Sequence, residues 1–180
     1  RTFAAMTTLA IETRTVGIRV FGDELLAAIA PIGLALAAKV AVVLDLAGDG
    51  PAYPTERTMA DLVDDGPRRS ELRPDRSGVA LLRNGGVSWE AGVDLVRLLG
   101  ETWPAVVVRV GTTPVPFPVI PVRPLWPGFL APAGDRPAVW QRVPGGSAPP
   151  GPGPVLPPPG RRTVTSLLAG RRPVRRRWSM

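Results

Sequence analysis

The sequence predicts an α/β domain: three layers, a mostly parallel sheet of about four to five strands with helices on both faces, and a Pro-rich C-terminal extension. Two observations predict it. Short runs rich in Val, Ile and Leu alternate with stretches whose apolar residues recur at helical spacing. Two of those runs, "KVAVVLDL" and "AVVVRV", are apolar nearly throughout, as strands are when helices cover both faces of a parallel sheet.

The elements follow in order. "TVGIRVF", at 15 to 21, has the β-branched and aromatic character of a strand. Asp23 can cap a helical stretch reaching Ala38, which Pro31 must break or kink because proline has no N–H and crowds the preceding turn. "KVAVVLDL" is the second strand. After the loop "AGDGPAYP", Thr58 and Asp61 have capping-box spacing, and Met59, Leu62 and Val63 give a short helix its inner face. "DDGPRRSELRPDRSG" reads as a polar loop. "VALLR", 79 to 83, is a third strand ended by "NGG". Ser88 caps the helix "WEAGVDLVRLLG", for which Gly100 supplies a left-handed stop, and "AVVVRV", 105 to 110, is the fourth strand.

Beyond Gly111 the texture changes. Seventeen of the 23 prolines lie from Pro104 to Pro159, and "PVPFPVIPVRP" packs them too densely for a central strand, which favours polyproline II or a sheet edge. "PAVWQRV", 137 to 143, adds one short edge strand. The organisation expected is an N-terminal extension over 1 to 14, the α/β domain over 15 to 143, a Pro/Gly-rich linker over 144 to 162 and a basic tail over 163 to 180. The sequence opens on Arg1, so either Met6 is the start or the chain is a fragment.

Composition excludes much chemistry. With no cysteine and no histidine, the chain by itself offers no disulfide, no thiol nucleophile, no imidazole base and no Cys/His zinc site. No metal and no cofactor is expected, and no residue is assigned as catalytic. The absent cysteines suit a cytoplasmic protein. Charge is concentrated: residues 161 to 180 carry seven arginines and no acid, whereas residues 1 to 160 hold 15 basic and 15 acidic side chains. An anionic partner is therefore a question about the tail alone. The run from Leu25 to Leu44 is about long enough to cross a bilayer, but Pro31, Gly33 and the change from Ala/Leu-rich to Val-rich at Lys39 favour helix followed by strand.

In an open parallel sheet, ligands sit beyond the carboxyl ends of the strands, where Asp45, Asp49 and Asn84 fall. These three are candidates for binding a ligand or for capping their own loops. Asp45 in particular can cap the next loop or pair with a nearby arginine. Trp126 and Trp140 are candidates for covering the sheet edge or anchoring an interface, and Arg175, Arg176, Arg177 and Trp178 form a candidate docking strip in the tail.

The order "TVGIRVF … PIGLALAAKVAVVLDLAGDG … TMADLV … GVALLRNGG … GVDLVRLLGETWPAVVVRVG", over residues 15 to 111, resembles the ParA/MinD-type ATPases, in particular the CpaE/TadZ-like branch found beside pilus and secretion loci. The resemblance implies a Gly-rich phosphate loop after the first strand, an acidic motif after the second and a Walker B aspartate ending a later one. This chain departs from that pattern. Where the loop belongs it has "GDELLAAIAP", with no Gly-Lys-Ser/Thr, and at the Walker B place it has Arg109; Asp45 is the one matching acid. Phosphoryl transfer needs phosphates and metal positioned together, so loss of both supports abolishes hydrolysis.

The expectation is thus a non-catalytic relative lacking the Walker A motif and acting by protein–protein contacts, cytoplasmic or peripheral to a membrane, with homo-oligomerisation open. Residues 161 to 180 would add non-specific contact to anionic membrane or nucleic acid. Two alternatives remain: a nucleotide-binding enzyme with a non-standard site near Asp45, and a membrane-associated protein using residues 25 to 44 or the tail.

Overall fold

The structure, a computed structural model, describes residues 14 to 20, 22 to 38, 40 to 72, 78 to 125, 127, 139 to 143, 145 to 146, 148 to 149 and 155 to 156. They build a sheet of seven strands, β1 (Thr15–Val20), β2 (Val40–Asp45), β3 (Gly78–Leu82), β4 (Val106–Arg109), β5 (Val119–Leu125), β6 (Val139–Arg142) and β7 (Val155–Leu156). The spatial order is β3-β2-β4-β1-β5-β6-β7, and every pairing is parallel. The three-layer class predicted from the sequence holds, but with seven strands in place of four to five.

Among the described residues four helices accompany the sheet: α1 (Glu24–Ala38), α2 (Met59–Asp65), the single turn α3 (Arg69–Leu72) and α4 (Trp89–Thr102). One face of the sheet, with Val16, Ile18, Val43 and Val107, is buried under Ala28, Ile29, Ile32 and Ala35 of α1. The other face, with Val42, Leu44, Val106 and Val108, is buried under Met59 and Leu62 of α2 and Leu95, Val96 and Leu99 of α4. Covering both faces is what makes β2 and β4 apolar at successive positions rather than at alternate ones. The apolar stretch from 25 to 44 is divided between α1 and the interior strand β2, and among the described residues no helix is long and apolar enough to cross a membrane.

Several local expectations are corrected. Pro31 does not end α1, which stays helical from Glu24 to Ala38. The lost hydrogen bond is offset by Ile29, Ala30, Ile32, Leu34 and Ala35, all buried around it. Gly100 is not a left-handed stop either: α4 runs on to Thr102, and the Trp103 amide donates to the Leu99 carbonyl. A Cβ at Gly100 would lie 2.8 Å from Thr15 Oγ1, so glycine serves close approach between α4 and β1. The polar loop after α2 contains α3, and Val155–Leu156, inside the expected linker, adds to the sheet beside β6, which is therefore not an edge strand.

The largest correction concerns the prolines. β5 lies inside the sheet, between β1 and β6, although it contains Pro121 and Pro124. Stagger explains this. β1 pairs with residues Val119 to Val122, and β6 with Val122 to Leu125. Because the Gly17 amide donates to the Pro118 carbonyl, even-numbered residues of β5 face β1 and odd-numbered ones face β6. Pro121 thus faces the β6 side before that pairing begins, and Pro124 faces the β1 side after that pairing has ended. Each proline has its missing N–H where the adjoining ladder has no paired residue.

α2 starts with the capping box read from the sequence. The Thr58 hydroxyl accepts from the Asp61 amide at 3.1 Å, and the Asp61 carboxylate accepts from the Thr58 amide at 2.7 Å. Hydrogen bonds from Thr58 hold the Asp61 carboxyl below the usual carboxylate range. A depressed folded pKa stabilises the fold above the unfolded value, about 3.9, and that contribution disappears as pH falls through the folded one. Asp61→Asn is expected to make the acid-side loss of stability shallower, as read by urea unfolding at stepped pH; an unchanged acid limb would contradict the capping role. Pro121→Val and Pro124→Val are each expected to change unfolding free energy by less than about 1 kcal/mol, whereas Ile120→Pro, which removes a donor facing β1, costs about 3 kcal/mol or more. Equal losses for all three would remove the stagger explanation.

Candidate functional site

β4 lies between β2 and β1, so the carboxyl ends of β1, β2 and β4 adjoin one another. Asp45 ends β2, Arg109 ends β4, and the two are register partners. Arg109 is two residues beyond Val107, so it shares the face covered by α1. Both side chains are buried, at 4% exposure for Asp45 and 2% for Arg109.

A guanidinium out of water needs acceptors around it, and the chain supplies oxygens. Arg109 Nη1 donates to the Pro51 carbonyl at 2.9 Å and faces Asp45 Oδ2 at 3.4 Å. Nη2 donates to the Asp49 carbonyl and is 3.9 Å from Asp49 Oδ1. The loop from Leu46 to Pro51 is therefore wrapped over the guanidinium. Two glycines let it wrap. Gly48 and Gly50 have φ of 72° and 68°, and a Cβ on Gly50 would lie 2.8 Å from Arg109 Nη2 and 3.2 Å from Glu24 Cβ.

Asp45 has its own partners. Its Oδ1 accepts from the Ala47 amide at 3.1 Å and the Gly48 amide at 3.4 Å, and its carbonyl accepts from Asn84 Nδ2 at 3.1 Å. Asn84 Oδ1 in turn accepts from the Gly86 amide at 2.9 Å, which closes the turn after β3. Burial pushes the Asp45 carboxyl above its ordinary value, and Arg109 and the two amides pull it back only in part. The geometry agrees: 3.4 Å is long for a charge-assisted bond, and the shorter contacts of Arg109 go to backbone carbonyls.

Behind this pair is Tyr53, the single tyrosine of the chain, buried in the α1-side core. Burial, and then the nearby Asp45 carboxylate, push its hydroxyl pKa far up, so it stays protonated. The Tyr53 hydroxyl and Arg109 Nε are buried and have no hydrogen-bond partner among the described residues. At the start of α1, Asp23 Oδ1 accepts from the Leu26 amide at 2.6 Å. A carboxylate of the chain thus takes up a donor of the helix terminus nearest the guanidinium.

The structure brings together Asp45, Asp49 and Asn84, the three candidates read from the strand ends. Asp45 caps its loop and pairs with an arginine, Asn84 caps the turn after β3, and Asp49 contributes mainly its carbonyl, its side chain being 76% exposed. Trp140 is not an exposed anchor: it is 5% exposed, in β6 beside Arg123 of β5. Trp126, Arg175, Arg176, Arg177 and Trp178 lie outside the described residues. In the sequence Arg109 stands out only as a departure from an acidic position, and nothing marks Tyr53. The available signal was an arginine inside a run of valines.

A groove of about 370 Å³ lies elsewhere. It follows the outer edge of β3 and is lined by Arg57, Arg68, Glu71, Ala80 and Trp103 among others, with none of Asp45, Asp49, Asn84 or Arg109. Among the described residues no group of His, Cys, Asp and Glu is arranged to hold a metal ion. No protein-family model, curated protein or solved structure matches the chain.

Removing one member of a buried ion pair strands the other. Asp45→Ala is expected to cost about 3–5 kcal/mol of unfolding free energy, and the double variant Asp45→Ala/Arg109→Met substantially less than the two single losses added together. Denaturant titration of the four proteins checks this, and strict additivity would show that the pair is not coupled.

Proposed function

We propose that this chain is a non-catalytic α/β protein, a degenerate relative of the ParA/MinD-type ATPases, that acts by protein contacts and helps position or regulate a larger assembly such as a secretion or pilus apparatus or a division site. The observation that carries the reading is the self-filled carboxyl edge of the sheet. Where a nucleotide enzyme of this kind needs a metal and a phosphate, the chain has its own cation, Arg109, held by Asp45 and loop carbonyls, and its own anion, Asp23, at the start of α1. A phosphate loop of the G-x-x-x-x-G-K-[ST] kind occupies about eight residues. Here three residues, 21 to 23, separate the end of β1 from the start of α1.

Two features favour contacts with proteins. β3 is an edge strand whose described pairing is to β2 alone, apart from a bridge between Thr58 and Arg83 beyond its carboxyl end. An edge of this kind offers free backbone donors and acceptors, and a groove with both arginine and glutamate in its lining runs beside it. The arginine-rich residues 161 to 180 add a strongly cationic segment suited to acidic partners.

Calorimetric titration of the full chain with ATP, ADP and Mg²⁺ is expected to give no saturable heat. Saturable binding that disappears in Asp45→Ala would replace this reading with a nucleotide-binding one. Co-purification at low salt is expected to retain a specific protein with the full chain and to lose it when residues 161 to 180 are removed. Pelleting with anionic vesicles in the absence of any retained protein would favour the membrane instead.

A further inference from the structure

We infer that the oxygens around Arg109 form a guanidinium-binding site that the chain occupies in cis. The inference rests on the geometry at the ends of β2 and β4 and stands whether or not the protein works through protein contacts. The acceptors are of one kind: the Asp45 carboxylate and the Pro51 and Asp49 carbonyls, with the Asp49 carboxylate 3.9 Å away. They are divided between two nitrogens, Nη1 and Nη2, and so they match a planar fork. A divalent cation needs its oxygens to converge on one point at about 2.0–2.6 Å, a spacing this cage reaches only by contracting. A single ammonium nitrogen would have to reach from one point the oxygens that Nη1 and Nη2 share between them here.

The site is built rather than incidental. Arg109 and Asp45 are both more than nine-tenths buried, and Gly50 is required by the approach of Nη2 as well as by its φ. The cage also has an outer side. Gly48, Asp49 and Gly50 are exposed, which gives a small cation a route to the position held by the side chain. Deleting that side chain should leave an oxygen-lined space of guanidinium shape, in which the Asp45 carboxyl gives up its proton as a cation enters. A planar cation from solution can then fill it, and closing the loop over this cation restores the stability that Arg109 supplied.

The test is thermal unfolding of the full-length Arg109→Ala protein with guanidinium chloride up to about 20 mM against matched sodium chloride, a range in which specific binding outweighs denaturant action. The melting temperature of Arg109→Ala should be lower than that of the wild type and should rise saturably by about 2–5 °C with guanidinium. Methylguanidinium should act likewise, and magnesium chloride at equal ionic strength should not. The wild type, with its site filled, should show no rise, and Asp45→Asn/Arg109→Ala should lose the response because the cage has lost the carboxyl that ionises. If Arg109→Ala is recovered only unfolded, refolding yield on dilution from urea replaces melting temperature, with the same salts. Absence of a guanidinium-specific gain in Arg109→Ala, or an equal gain in the wild type or the double variant, overturns the proposal.

Discussion

One buried cation, Arg109, organises the carboxyl edge of this sheet. Burying a guanidinium is costly unless its donors find oxygens; a single carboxylate at 3.4 Å is not enough, and Nε has no partner among the described residues. Two backbone carbonyls from the loop after β2 make up much of the difference, so the loop path, the left-handed glycines at 48 and 50 and the closeness of α1 to that loop follow from the needs of Arg109. The same requirement ties three distant stretches together, because β4 supplies the cation, β2 the anion and the loop beyond β2 the remaining acceptors.

Around this polar knot the packing is ordinary for a parallel sheet between helix layers. Every residue of β4 is buried, and so is β2 beyond its first residue. Beyond β1 the sheet is built differently, from β5, its longest strand and the one that carries prolines, and then the short strands β6 and β7. Staggering β1 and β6 along β5 lets the chain keep two prolines in an interior strand, because a parallel strand directs alternate residues to alternate neighbours. Proline density argues against a fully paired strand, and β5 is paired on each side for only part of its length.

The chemistry at the edge points inward. Asp23 engages an amide of α1, Asp45 engages two amides and Arg109, and Asn84 engages the carbonyl of Asp45 and the amide of Gly86. Each of these side chains is thus engaged by the fold itself. The edge of β3 and the groove beside it face outward and contain none of these residues.

Much of the fold was legible in the sequence because its signals are local. Apolar runs marked β1 to β4, Thr58 and Asp61 marked the start of α2, Ser88 marked that of α4, and the position of Asp45 at a strand end marked the candidate site. Each depends on residues within a few positions of one another. What only the tertiary structure decided depends on partners far apart in the chain. Whether Pro121 and Pro124 break a strand is settled by where β1 stops and β6 starts, and the need for a glycine at position 100 is set by the closeness of Thr15. That Arg109 is a buried clamp rather than an exposed charge is settled by strand order, which sets it beside Asp45, 64 positions away. Sequence alone carries the periodicity that makes a segment helix or strand, but the solvation of a charge is a property of its neighbours in space, and those are chosen only when the sheet assembles.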